Sequence, residues 1–234
     1  MNRNLTLMVH FLLDQCLPPV LRDSRWFMAP LFRLALGPKA HHYLAFKDRL
    51  PQLTEQEIQA YYTLLADTFI RRSTDLNRES IASVLAAMQG RSALDMACGS
   101  GWLSRQMAQR GWQVTAADIM PPASADDSDN PVFCVADVMQ LPFADKSFDT
   151  VVCAHTLEHV FDIGRALSEV RRVCRQRLIV VIPCQREYRY TFDLHIHFFP
   201  YAYKLQQLMG PGAKIHMAGG DFVAIEDMGC EDRS

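Results

Sequence analysis

The sequence lacks the features that would place it in several common classes. None of its seven cysteines forms a Cys-x-x-Cys pair, which removes the usual spacing of zinc ribbons and of redox motifs. No apolar run approaches the roughly 20 residues of a transmembrane helix. There is no internal repeat. There is no charge excess either: 24 basic and 26 acidic residues leave a net charge of −2, without the basic footprint of a nucleic-acid binder. Residues 8–13 are apolar, but the run is brief and Asp14 interrupts it. No secretory leader is therefore expected, and a cytoplasmic location is. Cys98, Cys134, Cys153 and Cys174 stand in apolar surroundings and read as buried, reduced thiols. Low complexity is confined to residues 121–130, a Pro/Ser/Asp stretch. What is present is 234 residues, 49% of them hydrophobic. That is enough for one α/β domain with a sizeable core and an extension.

The chain is organised around Ala93-Leu94-Asp95-Met96-Ala97-Cys98-Gly99-Ser100-Gly101-Trp102. It reads as the end of a buried strand, a glycine-bearing turn and a helix start. Gly99 and Gly101 let the backbone turn sharply and let a ligand lie against it, and the free N–H groups of the helix start face that ligand. A lone Gly-x-Gly is weak. Its weight comes from three further apolar runs, 114–118, 132–137 and 148–154, of which the first two end in Asp118 and Asp137. Asp118 lies about twenty residues after the turn, where an α/β nucleotide site places the carboxylate that takes ribose hydroxyls.

The residues 95–101, Asp118, Asp137, Leu141-Pro142-Phe143, Ser147-Phe148-Asp149 and Leu157-Glu158-His159-Val160 occur in an order and at a spacing that resemble the class I S-adenosylmethionine (SAM)-dependent methyltransferases. Ala97 departs from the pattern, since the family often has Gly there. The resemblance covers about residues 90–183. It implies a Rossmann-like, mostly parallel sheet and SAM as cofactor. It further implies that Asp95, Ala97, Cys98, Gly99 and Gly101 hold the amino acid end, that Asp118 with Ile119 serves the ribose side, and that Asp137 with Val138 serves the adenine. Asp149 is expected to be structural.

Along the chain, residues 1–55 read as a helical extension and 56–234 as the methyltransferase domain. Residues 5–17 have helical spacing. Trp26-Phe27-Met28 and Leu31-Phe32-Arg33-Leu34-Ala35-Leu36, with Arg22, Arg25, Arg33 and Lys39 interleaved, fit either a helix packed on the domain or a peripheral membrane contact. Thr54 and Glu57 form a capping box. The helix it opens carries Tyr61-Tyr62, which by the resemblance closes over the methionine end of SAM. Arg71-Arg72 follow and suit a carboxylate or phosphate, or solvent. A helix over 77–89 leads into strands over 91–96, 112–117, 132–136, 148–154 and 177–182, with helices over 102–110, 162–176 and 200–209. Gly219-Gly220 closes an antiparallel hairpin of 214–217 and 222–226. With no helix evident between the second and third strands, that sheet edge is expected to be thinly covered.

On the acceptor side, His155, Glu158 and His159 follow the fourth strand, and His195 and His197 alternate in Asp193-Leu194-His195-Ile196-His197-Phe198-Phe199. Three readings stand. His155 or His197 takes the acceptor's proton, helped by Glu158. Or these residues hold a divalent ion, by similarity to the Glu-x-x-Glu-His motif of metal-dependent O-methyltransferases, here with His155 in place of the first Glu. Or they only pack. Arg186 and Arg189 among Tyr188 and Tyr190 suit a polar acceptor, a sugar or a phosphate. Residues 22–28 and 190–199 together resemble methyltransferases of bacterial surface-polysaccharide pathways. The function expected is methyl transfer from SAM to a hydroxyl of a sugar, glycan or other small acceptor. The alternatives are a quinone-type C-methyltransferase and a SAM-binding subunit without turnover.

Overall fold

A computed structural model describes residues 17–65, 73–120 and 129–229. The helical spacing read over 5–16, Arg71-Arg72 and most of the low-complexity stretch lie outside the described residues. By its contacts the chain divides into two units. One comprises residues 1–71 with Gln185–Phe198, the other 72–184 with Phe199–Ser234. The extension expected over 1–55 therefore groups with the next helix and with a late segment instead of standing alone.

The first unit is helical: α1 (Pro19–Arg22), α2 (Arg25–Leu36), α3 (Ala40–Arg49) and α4 (Glu55–Leu65). The capping box is formed, with the Thr54 N–H donating to Glu57 Oε2 at 2.8 Å and the Glu57 N–H to Thr54 Oγ1 at 3.3 Å. Its core holds Met28, Phe32, Tyr43, Phe46, Leu65 and, from the late segment, Tyr190 and Leu194. Phe192 stacks on Phe32 with centroids 4.1 Å apart, and Tyr62 donates to the Leu194 carbonyl at 3.0 Å. Helix α2 buries Met28, Ala29 and Phe32, as packing requires, yet leaves Trp26 and Leu34 72% and 88% exposed.

The second unit is the α/β domain. It contains β1 (Ser92–Met96), β2 (Gln113–Asp118), β3 (Val132–Val135), β4 (Phe148–Ala154), β5 (Cys174–Pro183), β6 (Lys214–Ala218) and β7 (Asp221–Asp227), with α5 (Arg78–Ala87), α6 (Trp102–Ala108), α7 (Ile163–Val173) and α8 (Ala202–Met209). The sheet order is β3-β2-β1-β4-β5-β7-β6. Strands β1 to β5 pair in parallel, and β7 is antiparallel to both β5 and β6. Alternation along the strands builds two cores, one on each face. Leu94, Met96, Val151, Cys153, Leu178 and Val180 enter one core. Ala93, Val152, Ile179 and Val181 enter the other.

Two boundaries differ from expectation. Helix α7 stops at Val173, and β5 begins at Cys174, because 174–176 already belong to the sheet through the pairing of Phe148 with Cys174. Helix α8 begins at Ala202, two residues beyond Pro200. Strand β3 is the edge strand, and Val132 and Val135 are 53% and 60% exposed, as a thinly covered edge demands. The Leu-Pro-Phe motif is held from α7: Glu169 accepts from the Leu141 N–H, and Arg172 donates to the carbonyls of Leu141 and Phe143. Among the described residues Cys153 and Cys174 are buried and Cys98, Cys134 and Cys184 half-buried, all as free thiols. No helix of the described residues is long and apolar enough to cross a membrane.

Candidate functional site

The strand order reverses between β1 and β4, and parallel α/β sheets collect ligands in the crevice outside the carboxyl ends of the strands at such a point. The segments that leave β1 and β4 there are the 97–101 turn and the 155–160 turn. Between them lies a small open pocket of about 130 Å³, below the usual size of small-molecule sites. Its lining includes Asp75, Asp95, Ala97, Gly99 and His155.

The turn is built under strain. Ala97, Gly99 and Gly101 all have positive φ, at 59°, 53° and 73°. Glycine accepts this freely, whereas Ala97, standing where glycine is usual, bears a Cβ in the left-handed region. A Cβ at Gly101 would lie 2.5 Å from the Phe133 ring, so the helix start closes directly on β3. A Cβ at Gly99 would meet nothing within 4 Å, so that stretch of backbone is bare.

The acids fall into distinct environments. Asp95 is buried and accepts from Ser104 Oγ at 2.5 Å. Burial, only partly opposed by that bond, pushes its carboxyl up to about 7. Asp118, at the end of β2, accepts from the N–H groups of Gly99 at 2.8 Å and Met120 at 3.0 Å, and so braces the turn. Asp137 accepts from the Met139 N–H at 2.8 Å. Ile119 is 37% exposed beside Asp118. Val138, by contrast, is 4% exposed in the core.

His155 is the cation of the pocket wall. It too has positive φ, 51°, a strained placement for a residue with a Cβ. Its Nδ1 lies 3.6 Å from Glu158 Oε1 and its Nε2 3.4 Å from Asp221 Oδ1. Each ring nitrogen faces a carboxylate, which favours a proton on both. Burial works against the charge, but the facing carboxylates of Asp221 and Glu158, with the charge of Asp75, prevail and raise His155 to about 9. Glu158 reaches His155 from a short 3-10 turn over Leu157–His159. Burial and the neighbouring His155 charge pull His159 down to about 3.

Sequence reasoning missed the support behind His155. Asp221 Oδ2 accepts from Asn77 Nδ2 at 2.8 Å and from Ser80 Oγ at 2.7 Å. Asn77 in turn caps α5, its side chain accepting from Glu79 and Ser80 N–H groups. Gly219 makes room for this: with φ at 56°, a Cβ there would lie 2.2 Å from Asn77 Oδ1. The available signals were Asn77 as a helix start and Gly219-Gly220 as a hairpin turn; nothing in the sequence joined them. Ser73, Thr74 and Asp75, also on the pocket wall, carried no motif.

His195 and His197 belong to the first unit. His195 is buried, with Nδ1 2.6 Å from Gln185 Oε1 and its ring 5.9 Å from that of Phe198; His197 is half-buried. The polar-acceptor platform read in 186–190 is not formed: Tyr188 and Tyr190 are each 2% exposed, and Arg189 donates to Asp48 at 2.9 Å. Tyr190 fills the helical core, and Tyr188 is covered by Arg22 and Phe198. Tyr61 accepts from Arg49 at 2.9 Å inside the same unit.

Asp149 is structural, as expected. It accepts from the N–H groups of Arg91 and Ser92 and from the side chains of Arg175 and Gln176, at 2.9 to 3.1 Å. The Arg91 backbone bond leads in holding its carboxyl below the usual range.

Residues 94–182 match the family described as "Methyltransferase domain". Over 135 residues the chain is 33% identical to a demethylmenaquinone methyltransferase of Thermobifida fusca (strain YX), covering 51% of this chain and 57% of that one. Over 149 residues it is 30% identical to the 27-O-demethylrifamycin SV methyltransferase of Amycolatopsis mediterranei (strain S699), covering 57% and 53%. The chain thus spans about half the length of these curated relatives. The fold is similar to that of a solved protein from Pyrococcus horikoshii OT3, with a TM-score of 0.51 at 19% identity over 72% of this chain and 98% of the other.

Proposed function

Because residues 94–182 form a class I SAM-dependent methyltransferase domain on a Rossmann-like sheet, we propose that the chain methylates an oxygen of a small hydroxylated acceptor, such as a sugar. The observation that carries this reading is the pocket at the β1/β4 reversal, with bare turn backbone on one wall and His155 on another.

The residues present fit SAM. The 97–101 turn would hold the amino acid end against the unobstructed backbone of Gly99, with Asp95 behind it, while the N–H groups of Cys98, Gly99 and Gly101 fix the turn itself. Asp118, at the end of β2 beside the exposed Ile119, would take the ribose hydroxyls. Asp137, with the backbone of Val138 adjoining it, would take the adenine amino group. When bound, SAM supplies a methyl group already activated by its sulfonium. The chain's own work is then positioning, exclusion of water and handling of the acceptor's proton. His155 is the proposed base, oriented by Glu158 and by Asp221. It accepts a proton only once it has shed its own, so this role strengthens as pH rises toward about 9. His159, held neutral, is left to flank the acceptor.

The relative whose name specifies a demethylated oxygen favours O-methylation. The quinone named for the other relative supports a second reading, a quinone acceptor. Incubating the protein with methyl-labelled SAM and separated lipid, glycan, RNA and small-molecule fractions distinguishes them. Label released with the oxygen of a glycan or small molecule is expected. Label in the lipid fraction alone supports the quinone reading. SAM binding with no labelled fraction overturns both and leaves a non-catalytic subunit.

A further inference from the structure

Helix α2 has one satisfied face and one that is chemically unusual. Its sequence, RWFMAPLFRLAL, contains ten apolar residues, two arginines and no acid. Met28, Ala29 and Phe32 face the helical core. On the other side Trp26, Leu31 and Leu34 are 72%, 40% and 88% exposed, with Arg33 exposed among them and Arg25, exposed at the helix start, flanking this face on the spacing of Ala29 and Phe32. Val20, on the preceding turn, is 81% exposed. A surface helix ordinarily turns polar residues to water. Here the outward face is apolar and its charges have one sign, although the whole chain is slightly acidic.

We infer that this face docks on the surface of an anionic lipid bilayer. Trp26, Leu31 and Leu34 are placed to enter the headgroup boundary, and Arg25 and Arg33 to meet lipid phosphates, with α2 lying in the interface plane. The charge pattern selects this occupant. A second copy of the chain would set the same two arginines against each other, while an anionic bilayer complements them. The inference does not depend on which acceptor is methylated.

Co-sedimentation of the full chain with phosphatidylcholine vesicles, with and without phosphatidylglycerol, tests it. Binding to the anionic vesicles is expected to be at least tenfold tighter and to weaken with salt. Leu34→Glu should abolish it, and Arg33→Gln should weaken it about fivefold, the equivalent of ~1 kcal/mol for one basic residue at an anionic surface. An unchanged melting temperature in Leu34→Glu, which touches an exposed position, assigns the loss to docking and not to unfolding. No sedimentation with either vesicle overturns the inference. So does a concentration-dependent dimer that Leu34→Glu dissolves, since the face would then belong to a second copy.

Discussion

The two ends of the same parallel strands are built on opposite principles. At the amino ends, Asp149 ties the start of β1 to β4 and β5 through four hydrogen bonds, and its carboxyl is held below the ordinary range. At the carboxyl ends, Asp95 is pushed up to about 7 and His155 to about 9, and Ala97 and His155 sit in the left-handed region. One end stabilises its ionised acid; the other keeps Asp95 partly neutral by burial and holds Ala97 and His155 in a strained backbone state. Strain and shifted titrations gather where function lies, and the opposite end supplies stability that offsets them.

The largest effect that breaks this contrast is expected at His155. His155→Ala should lower the methyl-transfer rate by roughly 10²–10⁴-fold with SAM affinity unchanged. In the unaltered protein the rate should climb with pH and level off near 9. Stability should move the other way, because a histidine raised from 6.5 to about 9 on folding contributes below pH 6.5 and loses that contribution as pH rises through 9. A pH-independent rate would remove His155 as base.

At the opposite end, Asp149→Ala leaves several donors unmatched and should cost about 3 kcal/mol in a urea titration. The Asp149 contribution is present above the unfolded carboxylate value and fades as pH falls through the lower folded one. The variant should therefore lose its deficit in strong acid. A smaller change sharpens the picture from the strained side. Ala97→Gly removes a Cβ from the left-handed region, relieving ~1–2 kcal/mol against a glycine entropy cost of ~0.5–1 kcal/mol. A net gain of about 0.5 kcal/mol is expected, and a loss would mean that the Ala97 methyl packs usefully.

The sheet was legible because its strands are apolar runs closed by Asp, Gly or Pro; β4 falls at Phe148–Ala154, as read. The start of β5 was not, because Arg175 and Gln176 look like the polar face of a continuing helix. In the fold they are strand residues whose side chains serve Asp149. The 97–101 turn was legible from local motifs. The Asn77–Asp221–His155 relay was not, since it joins residues separated by up to 144 positions and no local pattern carries such a link. The tyrosines at 188 and 190 misled for the reverse reason: an aromatic with a polar tip suits a ligand wall and a core equally well.

SAM titration by calorimetry into Asp118→Ala and Asp149→Ala, side by side with the unaltered protein, tests the central claim most directly. If the carboxyl ends of the strands form the SAM site and the amino ends only hold the sheet, Asp118→Ala weakens binding at least tenfold, about 1.4 kcal/mol, while Asp149→Ala leaves it unchanged under conditions where the protein is folded. Unchanged affinity in Asp118→Ala, or equal weakening in both variants, would contradict the account.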